Sequence, residues 1–198
     1  MRLLAPAALL LALAAPAAQA STITISFSGT IDEIGPDVAS GFTSGDPFSG
    51  TIQFDDATPD TNASAILGDY GGAISSMSFD FGGYLATATV GQVSVRNDTN
   101  DSFNAVTFNG NGAQVAGLSL VSLSLSLVDS AGTTFSSDAI PASLSLSDFF
   151  FAKGAIEFEG GTSRRVRGSI SSLTYTVPEP GALALLAVAG LLALRRGR

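Results

Sequence analysis

Three observations predict an all-β fold of the antiparallel sandwich or jelly-roll kind. Apolar residues alternate with Ser and Thr along most of the chain, no stretch between the two apolar ends carries a helical repeat, and Gly-, Asp- and Asn-rich pieces interrupt the alternation at short intervals. About ten short strands with turn signals between them suit two packed antiparallel sheets. The β domain is flanked by an N-terminal signal peptide and a short C-terminal hydrophobic helix, which divides the chain into residues 1–20, 21–177 and 178–198.

The first segment reads as a secretory leader. Arg2 supplies the positive start and residues 3–15 the apolar run. Ala18-Gln19-Ala20 is a small-residue cleavage site, so the mature chain is expected to begin at Ser21. Signal peptidase is the partner this implies.

Strand follows strand from there. Ile23, Ile25, Phe27 and Ile31 share one parity, and Phe48, Ile52 and Phe54, then Met77, Phe79 and Phe81, repeat the pattern of a half-buried strand. Further strands are expected over residues 84–95, 103–108, 118–128, 144–151, 155–159 and 166–177. The pieces 41–46, 55–62, 97–101 and 109–112 have the composition of turns. Leu118 and Leu120 are even whereas Leu123, Leu125 and Leu127 are odd, so a β-bulge near Leu120-Val121 is needed to keep all five on the core side. The uncharged run 122–127 would be an aggregation hazard as an edge and is expected to be a central strand. Of Phe149-Phe150-Phe151, alternation buries one parity only, so at least one ring is expected to be exposed.

Residues 160–164 are expected to close a hairpin in which Phe158 faces Val166, Glu159 meets Arg165 and Glu157 meets Arg167. Phe27-Ser28-Gly29-Thr30-Ile31 recurs as Phe48-Ser49-Gly50-Thr51-Ile52, and the lack of a third copy argues for two similar strands rather than a solenoid.

Composition excludes much chemistry. Residues 21–177 hold sixteen Asp and Glu against five Lys and Arg, a net charge of eleven negative. Such a surface repels phosphate backbones, so nucleic acid is not a partner. The chain has no cysteine and no histidine. Disulfides, thiolate metal sites, a Ser-His-Asp triad and an imidazole base are therefore absent.

The tail is Val177-Pro178-Glu179-Pro180, an uncharged run of Leu, Ala, Val and Gly over residues 181–194, and Arg195-Arg196-Gly197-Arg198. A 14-residue helix covers about 21 Å against a hydrocarbon core of about 30 Å, which is short for a permanent anchor. Arg195, Arg196 and Arg198 belong on the cytoplasmic side, leaving everything before Pro178 outside. Pro178 and Pro180 hold the backbone around Glu179 extended, as a protease substrate requires. These three ordered parts, about 21 residues in all, resemble the PEP-CTERM sorting signal of bacterial exported proteins. The resemblance implies processing near Val177-Pro178-Glu179-Pro180 by an exosortase, a membrane-embedded transpeptidase-like protease, in bacteria that make extracellular polysaccharide. The segment 45–55 also looks like a strand common near the front of PEP-CTERM substrate domains, which implies fold and location only.

Candidate sites within the β domain compete with plainer readings. Glu157 and Glu159 on one strand face are spaced for an inverting glycosidase pair, but arginine partners lower carboxylate pKa and spoil a general acid. Asp55, Asp56 and Asp60 with Asn62, and Asp98 and Asp101 with Asn97 and Asn100, offer hard oxygens to Ca²⁺. Neither cluster has EF-hand spacing, and turns need Asx residues in any case. The expectation is a non-enzymatic exported protein of the cell surface or extracellular matrix, without a cofactor, associated with exopolysaccharide or biofilm. It would be held briefly in the inner membrane by its C-terminal helix. The alternatives are a carbohydrate- or Ca²⁺-binding β module, against which the absence of Trp counts, and a carboxylate-dependent glycan hydrolase.

Overall fold

The structure, a computed structural model, describes residues 21–178. Ala18, Ala20, Glu179, Pro180, Arg195, Arg196 and Arg198 lie outside the described residues, as do the rest of the expected leader and the apolar run 181–194. Among the described residues no helix is long and apolar enough to cross a membrane.

Ten strands form: β1 (Thr22–Ile34), β2 (Pro47–Asp55), β3 (Leu67–Phe81), β4 (Tyr84–Ala88), β5 (Gly91–Arg96), β6 (Asp101–Thr107), β7 (Asn111–Gly112), β8 (Leu120–Asp129), β9 (Phe151–Phe158) and β10 (Arg165–Thr176). Every pairing is antiparallel, and β1 joins β2 on one side and β10 on the other. The order β1, β2, β3, β5, β6, β8, β9, β10 therefore closes on itself as an eight-stranded barrel. Each barrel strand sits beside the next barrel strand in sequence, while β4 extends the edge of β3 beyond β5 and β7 pairs with β4. The expected sandwich or jelly roll is thus corrected. Pairing of the first and last long strands removes the sheet edges that a sandwich would leave.

Alternation places one parity inside. Phe54, Phe79, Phe81, Phe103 and Phe158 are fully buried, with Ile23, Ile25, Ile52, Met77 and Leu123 among them. Such rings each bury about 150–250 Å² and fill the lumen. The repeated Phe-Ser-Gly-Thr-Ile segments turn out to be neighbours. Phe27 lies opposite Gly50 and Phe48 opposite Gly29. A Cβ on Gly50 would sit 2.3 Å from the Phe27 ring, and one on Gly29 would sit 2.7 Å from the Phe48 ring. Each glycine makes room for the other copy's phenylalanine.

The bulge is where the change of leucine parity put it: Leu120 pairs with Phe158 and Ser122 with Glu157, leaving Val121 as the extra residue. Leu120, Leu123, Leu125 and Leu127 are all buried. β8 is paired on both sides, by β6 and β9. Residues 84–95 make two strands rather than one, broken at Thr89 and Val90. Residues 144–150 form no strand; they run through a 3-10 turn over Leu146–Asp148 before β9 begins. Phe150 is the exposed ring of its triplet, at 85%.

Both ends of the barrel are covered. At one end a 3-10 turn, Pro36–Gly41, inserts Val38, and Phe42 packs edge-on against Tyr84. At the other end residues 130–150 cross the opening, with Leu144 and Phe149 buried. Tyr70 Oη–H donates to the Asp138 carbonyl at 2.9 Å and Tyr175 Oη–H to the Pro141 carbonyl at 2.5 Å. Ser21 precedes β1 and Val177 follows β10 at this second end, since Thr24 is paired with Thr176.

Candidate functional site

Three places carry polar chemistry: the Asp-rich end, the exit of the two termini, and a groove on the outer wall. At the Asp-rich end the carboxylates are occupied by backbone donors. Asp129, at the end of β8, accepts the N–H groups of Ala131 at 2.7 Å and Thr133 at 2.9 Å, and the hydroxyls of Thr133 and Thr134. Those backbone bonds hold its pKa down to about 2. Asp101, wholly buried and directly across the ladder from Asp129, accepts Asp98 N–H at 3.2 Å and Phe135 N–H at 2.7 Å. Together they tie down the start of the loop that covers the barrel end.

The first acidic cluster behaves the same way. Asp55 accepts Ala57 N–H at 2.8 Å, and Asp60 accepts the N–H groups of Asn62 at 2.8 Å and Asp69 at 2.9 Å. Those bonds from Asn62 and Asp69 lower the Asp60 pKa. Asn62 Nδ2 donates to Asp69 Oδ2. Asp56 binds Ser21 through both carboxylate oxygens. Asp98 offers its backbone N–H to Asp101. Among the described residues no group of three or more acidic side chains is placed to hold a metal ion. The five Ca²⁺ candidates Asp55, Asp56, Asp60, Asp98 and Asp101 are instead spread over separate turns and caps.

The hairpin expectation fails by two residues. Arg165 lies opposite Glu157, and Arg167 opposite Ala155. A shift of two keeps every side chain on its expected face, so parity alone did not reveal it. Phe158 and Val166 remain buried, but Val166 pairs with Ile156. The arginines pair with Glu33 of β1: Arg167 Nη1 donates to Glu33 Oε2 at 3.0 Å, and Arg165 Nη2 stands 3.7 Å from Glu33 Oε1. Glu159 lies past the end of β9, with Oε1 taking Ser119 N–H at 3.4 Å. Glu157 and Glu159 therefore do not flank a common cleft.

This arrangement leaves a shallow groove on the outer wall of β8, β9 and β10. It is lined by Ser124, Ser126, Phe151, Lys153, Ala155, Glu157, Arg165 and Arg167. Ala155 makes the depression. It lies between Ser124 of β8 and Arg167 of β10, both directly opposite in the ladder, and between the longer Lys153 and Glu157 along its own strand. Beside it, Lys153 donates to Asp32 and to Ser169 Oγ at 2.7 Å, and Ser169 donates to Asp32. Partial burial raises the Asp32 pKa, but the bonds from Lys153 and Ser169 outweigh it and the carboxyl ends below its usual value.

Lys153, Arg164, Arg165 and Arg167 are four of the five basic residues in 21–177. Their crowding between positions 153 and 167 was the available sequence signal for this face. Other groove groups have capacity to spare. Among the described residues Arg165 Nε is buried without an acceptor, and 3.7 Å to Glu33 is too long for a hydrogen bond. The groove's lining contains one carboxylate, Glu157. That is one short of the pair a glycosidase uses.

Val177 and Pro178, the described part of the motif expected to direct sorting, lie outside any strand and are exposed, Val177 to 40%. No known protein family, no curated protein and no solved structure matches the chain.

Proposed function

We propose that the chain is an exported, non-enzymatic protein of the cell surface or extracellular matrix, delivered by its leader and sorted through its tail by an exosortase. One observation carries this reading. Ser21 and Val177-Pro178 leave the barrel at the same end, on the paired strands β1 and β10, and neither lies in a strand. Cuts at both places would leave every strand and the complete core intact, as a cargo domain requires. The tail would hold this end of the barrel toward the inner membrane until processing, and Val177-Pro178 would stand clear of the sheet for the protease. The test is fractionation of producing cells with and without the exosortase, beside a Glu179→Ala variant. The proposal expects precursor to collect in the membrane fraction in both altered cases; an unchanged distribution contradicts it.

The groove favours a second reading, a saccharide-binding module associated with exopolysaccharide. Its half-buried Arg165 and Arg167 suit a carboxylate on a sugar unit, Ser124 and Glu157 suit hydroxyls, and Phe151 with Ala155 offers an apolar contact. A domain of net charge eleven negative would reject densely charged polyanions while admitting a sparsely charged glycan. Retention on a uronate-containing polysaccharide, and its loss in Arg165→Gln, supports this reading; equal retention on neutral dextran contradicts the charge recognition.

A further inference from the structure

We infer that Asp56 is the receptor for the α-ammonium group that cleavage after Ala20 creates on Ser21, so that removal of the leader completes the anchorage of the barrel's first strand. The inference rests on the export reading for the position of the cut, and on geometry for everything else. Ser21 N stands 2.9 Å from Asp56 Oδ1, and Ser21 Oγ–H donates to Asp56 Oδ2 at 2.5 Å. Both carboxylate oxygens thus grip one residue 35 positions away in the chain. The contact is reciprocated, because Asp56 N–H donates to the Ser21 carbonyl at 3.4 Å.

The strands deliver this arrangement. Thr22, the first residue of β1, is paired with Asp55, the last of β2, so the next residue outward on each strand is Ser21 on one side and Asp56 on the other. In the precursor the Ser21 nitrogen is an amide with a single N–H. Hydrolysis of the Ala20–Ser21 bond adds water across it, releasing the Ala20 carboxylate and a Ser21 amine. That amine, with an ordinary pKa of about 8, takes up a proton from solvent at neutral pH. The same nitrogen then carries three donors and a full positive charge. The bond to the Asp56 carboxylate, charge-assisted from the acceptor side alone in the precursor, then joins two opposite full charges.

Nothing nearby competes for the carboxylate. Among the described residues Asp56 makes no ion pair with Lys or Arg. Asp55, the residue before it at the end of β2, and Tyr175 on β10 stand close by, and neither is cationic. An acid that looked like a Ca²⁺ ligand by its neighbours in sequence is better explained as the clamp for a new chain terminus.

The experiment uses mature protein recovered from producing cells, wild type and Asp56→Asn, with intact mass fixing the first residue. Each is then exposed to a broad-specificity aminopeptidase and loss of Ser21 is followed by mass. Trimming of the wild type should be slower by about tenfold, the factor that loss of one charge-assisted bond of about 1.5 kcal/mol represents. Ser21→Ala, which keeps the ammonium and loses the hydroxyl bond, should lose its first residue at an intermediate rate. A mature mass beginning elsewhere than Ser21 overturns the cleavage position and the inference together. A mass beginning at Ser21 with equal trimming of wild type and Asp56→Asn overturns the inference alone and leaves export standing.

Discussion

The Asp-rich end of the barrel and the groove on its wall look alike in composition, since each gathers charged side chains from several strands, yet they differ in what those side chains have left to give. Asp55, Asp60, Asp101 and Asp129 spend their oxygens on backbone N–H groups of their own turns and of the segments beside them, and Asp56 on Ser21. In the groove Arg165 is held by Glu33 only at 3.7 Å and has a buried nitrogen with no acceptor. A count of acids therefore located turns. Half-buried groups with unused donors mark where a ligand would be welcome.

The largest expected effect tests the first half of that contrast. Asp101→Ala strands the Phe135 and Asp98 N–H groups beside a fully buried position, and should cost about 3 kcal/mol in denaturant unfolding. An unchanged midpoint would show that these carboxylates are not structural. A smaller effect comes with acid. The folded pKa of Asp129, about 2, lies below the ordinary carboxylate value, so its contribution to stability is complete above about pH 4 and is lost as the pH falls toward 2. Thermal scans should show this loss in the wild type and less of it in Asp129→Asn, which should already be less stable at neutral pH.

The smallest effects belong to the groove and to added metal. Arg165→Gln and Glu157→Gln should each shift stability by no more than about 0.5 kcal/mol, because they remove partly exposed groups with little internal bonding. A large loss of stability would make the groove a structural ion-pair site instead. Millimolar Ca²⁺ should leave the thermal midpoint unmoved, and a rise reversed by chelator would mean that the Asp-rich end has oxygens to spare after all.

Local features of the barrel were readable in the sequence, and long-range ones were not. The change of leucine parity between Leu120 and Leu123 marked the bulge at Val121, because only an extra residue keeps both sets on the core side. Closure by β1 and β10 left no such mark, since their pairing joins residues about 140 positions apart that look like any alternating strands. Leu144 and Leu146 alternate as a strand would, but that chain is recruited to cover the barrel end, where Leu144 is buried from a loop. The groove was hidden for the same reason as the closure. Its residues come from β8, β9 and β10, and the register that sets Ala155 between Ser124 and Arg167 is two residues away from the one that charge pairing within the hairpin suggested. Glu33, the actual partner of those arginines, lies more than 130 residues earlier.

The central claim is that residues 21–177 are cargo between two removable ends, and the intact mass of the protein recovered from producing cells tests it most directly. The account predicts a chain that begins at Ser21 and ends close to Val177-Pro178, without Arg195, Arg196 or Arg198. Recovery of a chain that still carries Arg198 from cells with an active exosortase would contradict it.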